Sequence, residues 1–457
     1  MRKLALLVLV LSIFSFSQIA AQTHNHAEDI EGPFDSPQEV TETCLACHDD
    51  VGSDFMHTRH WNWIGESENS LGKKNMINNY CISIQSNWPR CTSCHAGYGW
   101  KDSTFDFTNE NNIDCLICHD QTGTYKKIPT GAGMPDTSVD LVKVAQSVGR
   151  PTRHNCGICH FDGGGGSGVK HGDMDDSMYD PGPELDVHMG KLDFQCTVCH
   201  ETEKHKISGA GQGSMAEGVN HFSCEDCHDA DPHDKAILNK HTKTIACETC
   251  HIPEFAREEP TKMWWDWSKA GEDRTPKIDK YGKPDYHKKK GEFIWEANVI
   301  PDYEWYDGKT DYYRMGEKLD PNEPLVFNKL EGSITDPNSK ITPFKAMRGK
   351  QPFDPVNNYL IIPHLFGKDG YWKTFDWKQA SEIGMKAAGL KFSGEVGFIE
   401  TKMYWPINHM VALADDALKC TECHGVTGKK RLDWKKLGYK EDPMKSGGRF
   451  KNHIVEE

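Results

Sequence analysis

The chain has 457 residues, enough for a large core or for two to three domains. Its formal net charge of −15 argues against nucleic acid as a partner, because an acidic protein is repelled by phosphate backbones. Hydrophobic residues make up 37% of the chain, which is low for this length. We therefore expect that groups other than aliphatic side chains help to fill the interior.

A short apolar segment lies at the start of the chain. Two basic residues precede an apolar run over 4–16, and two small residues, Ala20 and Ala21, come before a polar segment. This pattern is typical of a secretory signal peptide at 1–21, because the run is short and no stop-transfer pattern follows. Later stretches do not approach the roughly 18 apolar residues that a spanning helix needs. We expect an exported, soluble, periplasmic protein without a membrane span, whose mature part is a single domain at 22–457.

The motif C-x-x-C-H occurs eight times, which chance does not produce from 17 cysteines and 23 histidines. Its cysteines are Cys44, Cys47, Cys91, Cys94, Cys115, Cys118, Cys156, Cys159, Cys196, Cys199, Cys224, Cys227, Cys247, Cys250, Cys420 and Cys423. The histidines that follow them are His48, His95, His119, His160, His200, His228, His251 and His424. We number the motifs 1 to 8 in chain order.

The spacing of the motif predicts covalent haem. Two thiols three positions apart add to the two vinyl groups of a haem, and the next residue binds the iron as proximal ligand. A zinc ribbon does not require a histidine after each cysteine pair, and a disulfide framework does not explain that histidine either. The sequence therefore predicts eight covalently bound haem c groups, which would form much of the core.

The motifs also predict the organisation of the chain. Seven of them crowd into a haem-rich part at 40–251, which leaves little room for sheet, so we expect a mainly α multihaem c-type cytochrome. Apolar spacing predicts a helix at 138–148 with Ser138 as N-cap. A haem-free excursion at 252–408 is expected to form loops and short strands over the haems. It ends in a helix at 374–390.

The last part of the chain, 409–457, is expected to begin with a helix that carries His409 toward motif 8. The many tryptophans and tyrosines are expected to pack against porphyrin faces. Outside the motifs there are 23 − 8 = 15 histidines, enough to give most irons a second imidazole. Four of them are expected to be peripheral surface residues: His24, His26, His287 and His453.

Several segments resemble the octahaem tetrathionate reductase family. They are GPFDSPQEVTETCLACHDD, RCTSCHAGYGW, DCLICHDQTGTY, NCGICHFDGGGGSGVKHGDM and ACETCHIPEFAREEPTKMWWDW. The resemblance runs from about Gly32 to the C-terminus, and the family is related to hydroxylamine oxidoreductase and pentahaem nitrite reductase. It implies a mainly helical fold in which seven haems have two histidine ligands. It also implies that Lys170 is the distal ligand of the motif 2 haem and that Cys81 lines the same pocket.

Features of the sequence other than this resemblance also single out Cys81 and Lys170. Cys81 is the one cysteine outside the motifs, and an unpaired thiol in an oxidising compartment calls for a function. Lys170 follows a glycine run at 163–166, and as an iron ligand it would have to be neutral. His171 and Asp173 either relay protons to the substrate or cap the loop. A covalent link between Cys81 and Lys170 is a further alternative.

Seven histidines are favoured as distal ligands. They are His60, His188, His205, His221, His233, His241 and His409, with His171 and His364 as reserves and His57 and His154 as weaker candidates. The resemblance also implies a structural calcium ion near the active haem, for which plentiful carboxylates do not single out ligands.

Two functions follow from this arrangement. One is reduction of a small inorganic sulfur or nitrogen compound at the motif 2 haem, with electrons from a periplasmic donor cytochrome. The substrate would be tetrathionate, giving thiosulfate, or nitrite or hydroxylamine, giving ammonium. The other is electron transfer without catalysis.

Overall fold

We describe the protein from a computed structural model. The structure describes residues 25–63, 72–74, 76–77, 83–162, 165–209, 222–425 and 431–449. Within those ranges, every helix is too short or too polar to cross a membrane.

The helices are short and concentrated in the first half of the chain. In order they are α1 Pro37–Leu45, α2 Val51–Met56, α3 Arg59–Asn62, α4 Trp88–Cys91, α5 Leu116–His119, α6 Leu141–Gln146, α7 Arg153–His160, α8 Cys196–Cys199, α9 Ala236–His241, α10 Cys247–His251, α11 Tyr371–Thr374, α12 Trp377–Ala387, α13 Cys420–Cys423 and α14 Pro443–Ser446. Single 3-10 turns lie at His26–Glu28, Thr92–Cys94, Glu110–Asn112, Asp176–Met178, Cys224–Asp226, Trp267–Lys269 and Ala414–Asp416, and a π turn lies at Val187–Lys191.

The strands lie mainly between motifs 7 and 8. They are β1 Thr202–Glu203, β2 Lys206–Ile207, β3 Thr261–Asp266, β4 Tyr286–His287, β5 Gly291–Glu296, β6 Asp302–Tyr306, β7 Thr310–Tyr312, β8 Leu325–Val326, β9 Asn328–Leu330, β10 Lys340–Asp354, β11 Tyr359–Leu360 and β12 Gly397–Pro406.

An eight-stranded sheet organises residues 261–406, with the strand order β4-β5-β3-β10-β12-β8 and with β6 and β11 also paired to β10. The long strand β10 runs antiparallel to β12 from Phe344 opposite Pro406 to Phe353 opposite Gly397, and parallel to β3. Most residues of β10 are buried, including consecutive ones, so both faces of this strand are covered. This part of the chain therefore contains more β-sheet than we expected. Aromatic residues are frequent in β3, β5 and β12 and favour strands, which here form a larger sheet than the loops and short strands that we expected.

The predicted helices are present but shorter. Helix α6 begins after Asp140, whose side chain accepts from the Lys143 amide, so Asp140 rather than Ser138 is the N-cap. Helix α12 begins after Asp376 and ends at Ala387. No helix carries His409, which follows β12 in a loop whose conformation is set by Asp173.

Two apolar clusters flank the site described below. The larger cluster packs the sheet against α11 and α12 and includes Trp265, Met347 and Trp405. A smaller cluster of Trp63, Ile84 and Trp100 surrounds the start of motif 2. Motif 2 therefore lies in a tightly packed apolar setting.

Candidate haem and substrate site

Most motifs form a single helical turn. Motif 5 is α8, motif 7 is α10, and α13 carries motif 8. In a helix, residues three apart share a face, so the two thiols of a motif point to the same side. This is the arrangement that attachment to two vinyl groups on one haem edge requires.

Seven of the eight motif histidines face a second imidazole. The ring centres are 6.4 Å apart for His48 and His26, 6.4 Å for His119 and His205, 6.1 Å for His160 and His60, 6.4 Å for His200 and His409, 6.2 Å for His228 and His188, 6.1 Å for His251 and His233, and 6.3 Å for His424 and His241. Two imidazoles that each bind one metal at about 2 Å have ring centres about 6 Å apart. The residues present therefore fit seven haems with a histidine on each face.

The second ring nitrogen of these histidines supports this assignment. Nδ1 of His119 lies 2.8 Å from the Gly149 carbonyl, and Nδ1 of His424 lies 2.6 Å from a carboxylate oxygen of Asp442. A carbonyl or carboxylate oxygen only accepts, so Nδ1 carries the hydrogen and Nε2 keeps its lone pair for a metal. Such outer hydrogen bonds orient metal-binding histidines.

Six of the favoured distal histidines take part in these pairs, and the ligation itself stays a prediction. They are His60, His188, His205, His233, His241 and His409. The seventh, His221, lies outside the described residues. The partner of His48 in the seventh pair is His26, which we expected to be a peripheral surface residue. Sequence reasoning missed it because it stands before the first motif, where no spacing relates it to His48.

The other histidine candidates make local contacts. Nδ1 of His364 lies 2.6 Å from the Ser86 carbonyl, and Nδ1 of His57 lies 2.7 Å from the Ser53 carbonyl. His154 forms an exposed contact of 3.4 Å with Asp180. These contacts do not place any of the three against a motif histidine.

The histidine of motif 2 is different. Its Nε2 lies 2.7 Å from the Trp61 carbonyl, which can only accept, so Nε2 carries the hydrogen. The other nitrogen, Nδ1, is buried and has no hydrogen-bond partner among the described residues. Burial lowers the pKa of His95 to about 3, so the ring is neutral. No second imidazole in the described part of the chain faces it at the distance found in the other seven pairs.

Aromatic rings enclose His95. The nearest centroid distances are 4.9 Å to Trp100, 5.1 Å to Trp61 and 5.4 Å to Trp63, with Phe105 at 5.6 Å. This cage fixes the orientation in which Nε2 donates to Trp61. We expected His95 to bind iron, but the hydrogen bond of its Nε2 to Trp61 competes with iron for the ring.

Lys170 lies beside motif 2 and is only 2% exposed. Lys73, Lys127 and Lys170 all lie near the sulfur of Cys94. Three lysines thus surround a buried motif in a protein of net charge −15.

The loop before Lys170 is fixed by close backbone contacts. Gly168 has φ +68°, and a Cβ there would lie 2.5 Å from the Pro260 carbonyl, so only glycine fits. The Lys262 amide donates to the Gly168 carbonyl at 2.9 Å. We expected a glycine run at 163–166 to permit close approach, and two of its residues lie outside the described ranges. The close approach that the structure shows is that of Gly168 to β3.

His171 and Asp173 have separate surroundings. His171 packs against Trp405 at 4.7 Å, and burial lowers its pKa to about 4. Asp173 is buried, and its Oδ2 accepts from Nδ1 of His409 at 3.1 Å and from the amides of Asn408 and His409 at 2.8 and 2.9 Å. Of the two predicted roles for Asp173, the structure favours fixing a loop and a histidine over relaying protons.

Two expectations have no counterpart in the described residues. Cys81 lies outside them. In the described ranges, no three acidic, histidine or cysteine side chains converge as a metal site, so the predicted calcium ion has no assigned ligands.

Neighbouring motifs are in contact through their cysteines. The sulfurs of two motifs lie side by side for motifs 1 and 3, 2 and 4, 4 and 5, and 6 and 7: Cys44 with Cys115, Cys94 with Cys159, Cys156 with Cys196, and Cys224 with Cys247. Motif 2 therefore lies beside motif 4, which also contacts motif 5.

Family models match three parts of the chain. Residues 43–120 match cytochrome c554 and c-prime, residues 183–252 match cytochrome c7 and related cytochrome c, and residues 262–427 match bacterial cytochrome c. Together with the repeated motif and the imidazole pairs, these matches define the class, and the chain belongs to the multihaem c-type cytochromes.

Two relatives refine this result. The chain is 50% identical to a solved structure, the octaheme cytochrome c from Shewanella oneidensis, with a TM-score of 0.87 over 92% of this chain and 98% of that chain. It is also 26% identical to an uncharacterised protein of Archaeoglobus fulgidus over 40% of this chain and 82% of the relative. Covalently bound haem c and a redox role follow from the family.

Proposed function

We propose that this multihaem cytochrome is a periplasmic octahaem reductase of small sulfur or nitrogen compounds and that turnover takes place at motif 2. The contrast between seven imidazole pairs and the caged His95 carries the proposal. An iron held by imidazoles on both sides has to lose a ligand before it can bind a substrate, whereas motif 2 has no such pair within the described part of the chain. The resemblance to the octahaem tetrathionate reductases supports the same site.

Lys170 is the proposed protein ligand at motif 2. Its burial removes water that would favour the ammonium form, and the rigid contact of Gly168 with β3 holds its main chain. Because Nε2–H of His95 is donated to Trp61, we propose that Lys170 rather than an imidazole pair holds this haem, which leaves a coordination position for substrate. When bound, the haems supply one-electron redox steps, with potentials set by ligands and burial.

For tetrathionate, we propose a reaction at Cys81. Its thiolate attacks the central S–S bond, one thiosulfate leaves, and a thiosulfate group remains attached to Cys81 through sulfur. Two electrons then release the second thiosulfate and restore the thiolate, so charge and atoms balance. For nitrite or hydroxylamine, which lack an S–S bond, Cys81 would have no such role, and the product would be ammonium.

The other seven sites serve electron delivery in this proposal. Cysteine contacts join motif 2 to motif 4 and motif 4 to motif 5, and the cysteines Cys47, Cys227 and Cys420, from motifs 1, 6 and 8, are exposed. A periplasmic donor cytochrome would deliver electrons near an exposed motif, and they would reach motif 2 through motif 4.

The alternative function is electron transfer without catalysis, which the seven imidazole pairs would serve equally well. Absorbance titration of the holoprotein with nitrite, hydroxylamine and tetrathionate separates the two. A shift of one haem band with any of these compounds is expected; if none shifts a band, the protein is an electron carrier.

Steady-state assays with Cys81→Ala identify the substrate class. Loss of tetrathionate reduction with retained nitrite or hydroxylamine reduction indicates thiolate chemistry, and loss of none of the three activities excludes a role of Cys81. In parallel, Lys170→His should abolish turnover while intact mass still shows eight haems, because imidazole would replace the amine that the proposal assigns to this iron. Normal turnover of that variant would contradict the assignment of Lys170.

A further inference from the structure

A pocket of about 330 Å³ adjoins motif 2 and contains none of the residues used in the proposed function. Three parts of the chain build it: helix α4 at the start of motif 2, the turn between β4 and β5, and the segment that leads into α11. Four of its six lining side chains are basic, two are aromatic and none is acidic. They are Arg90, His287, Lys289, Lys290, Phe366 and Trp372.

The turn that carries the two lining lysines is held in place by its own carbonyls. Residues 288–290 connect β4 to β5. The amide of Gly271 donates to the carbonyl of Lys288 at 2.7 Å, and the indole Nε1 of Trp265 donates to the carbonyl of Lys290 at 2.6 Å. The main chain of the turn is therefore ordered before a ligand binds, which reduces the entropy that binding costs.

The basic side chains of this region differ in how their charge is balanced. Lys288, which does not line the pocket, forms an ion pair with Asp273. Arg90 and Lys289 are exposed, and neither has a carboxylate within ion-pair distance in the described ranges. The guanidinium of Arg90 lies 5.6 Å from the ring centre of Trp372, a contact that keeps its charge and its donors. Two positive charges of the pocket therefore lack a counterion in the part of the chain that the structure describes.

Two neutral rings add hydrogen-bond donors. Nδ1 of His287 accepts from the amide of Lys289 at 3.1 Å, so the hydrogen of the neutral ring is on Nε2. Burial, together with the charges of Lys290 and Lys289, lowers the pKa of His287, so the ring is neutral at pH 7. The buried Nε1 of Trp372 has no hydrogen-bond partner among the described residues, and an indole N–H only donates. Apart from Nδ1 of His287, the polar atoms of the lining side chains are donors.

These groups fit a ligand that is rich in acceptors and carries negative charge. A charge of −2 would balance Arg90 and Lys289, whereas a monoanion such as nitrite would balance one of them and neutral hydroxylamine neither. The volume of the pocket lies at the lower end of the range for ligand sites, about 300 to 1,000 Å³, and suits a small ion. A small inorganic dianion with several oxygen atoms meets all of these requirements.

We propose that this pocket binds a small inorganic dianion of the sulfate type at a site separate from the motif 2 iron. The carboxylates of the motif 2 haem are the competing occupant. A haem c carries its carboxylates on the edge opposite to its thioether bonds, and Arg90 adjoins the thioether side because it directly precedes Cys91. This arrangement favours an ion from solution.

The test is isothermal titration calorimetry of the oxidised octahaem holoprotein with sulfate, at low ionic strength so that screening is small. Nitrate at equal ionic strength is the monoanionic comparison. We expect one sulfate to bind without a shift of any haem band, and nitrate to bind more weakly. Arg90→Gln and Lys289→Gln each remove one charge of the pocket, and each should raise the sulfate dissociation constant about fivefold or more.

Lys288→Gln is the matched control. It removes the same charge from the same turn, but Lys288 pairs with Asp273 and lies 5.1 Å from the ring centre of Phe375 instead of lining the pocket. The sulfate dissociation constant of this variant should stay within about twofold of wild type, because an exposed and paired charge outside the pocket is screened.

Three results would overturn the proposal. Absence of binding heat with sulfate in wild type would mean that haem carboxylates or other groups already fill the pocket. Equal weakening by Lys288→Gln and by the two lining variants would indicate diffuse surface charge, and a haem band that shifts with sulfate would place the ion at an iron. Turnover is not measured, so failure of the proposed function would leave these constants unchanged. The three substituted side chains are exposed, and intact mass confirms eight haems in each variant.

Discussion

Replacing Asp173 by asparagine should raise the potential of one haem. The carboxylate is buried, and it accepts the Nδ1–H of His409, whose ring centre is 6.4 Å from that of His200. The negative charge stabilises the oxidised, more positive iron through the imidazole. Burial opposes ionisation of Asp173, but the hydrogen bond from His409 and the two amides hold its pKa below the usual range, so the charge is present at neutral pH.

The magnitude follows from the hydrogen bond. A hydrogen bond to a charged group is worth about 1 to 1.5 kcal/mol more than one between neutral groups. If that difference favours only the oxidised state, the potential rises by about 40 to 65 mV, since 59 mV corresponds to a factor of ten for one electron. Asparagine has nearly the same shape and can still accept from His409, so the ligand pair should persist.

Potentiometric titration followed by electron paramagnetic resonance measures this shift. One of the low-spin haem signals should change its midpoint while the others stay in place. Asp442→Asn is the matched control, because Asp442 binds Nδ1 of His424 at 2.6 Å and should shift a different haem. If Asp173→Asn leaves every midpoint unchanged, or if both substitutions shift the same signal, the pairing of His409 with His200 is refuted.

Two further predictions concern the first haem and the sheet. His26→Ala should convert one low-spin haem to a high-spin form in the resonance spectrum, because it removes the imidazole 6.4 Å from that of His48; an unchanged spectrum would exclude His26 as a ligand. For Asp354, burial opposes ionisation, but hydrogen bonds from Asn357 and Ser393 lower its pKa to about 2. A lowered pKa means that the unfolded state binds more protons, so this stabilisation, about 2 to 3 kcal/mol, is present above about pH 4 and is lost as the pH falls toward 2. Asp354→Asn should therefore lower the thermal midpoint at pH 6 more than at pH 3, and an equal loss at both would contradict it.

The sequence by itself determined the motifs and their chemistry. Cysteines three positions apart followed by histidine specify attachment within one helical turn, so eight haems could be predicted without any knowledge of the fold. The N-terminal caps also left local signals, as at Asp140 and Asp376, although we chose a residue two positions too early for the first.

Only the tertiary structure decided which groups meet. His409 reaches His200 from more than two hundred positions away, and His26 lies opposite His48 without any spacing rule that would reveal it. Strand β10 brings Lys345 to the carbonyl of Lys170, a contact that depends on strand register. The spacing of residues within a motif can be read from the sequence, because the backbone of one helical turn fixes their relative positions. Contacts between distant segments depend on how the whole chain packs. One of them is the hydrogen bond from Nε2 of His95 to the carbonyl of Trp61, which distinguishes His95 from the motif histidines that face a second imidazole.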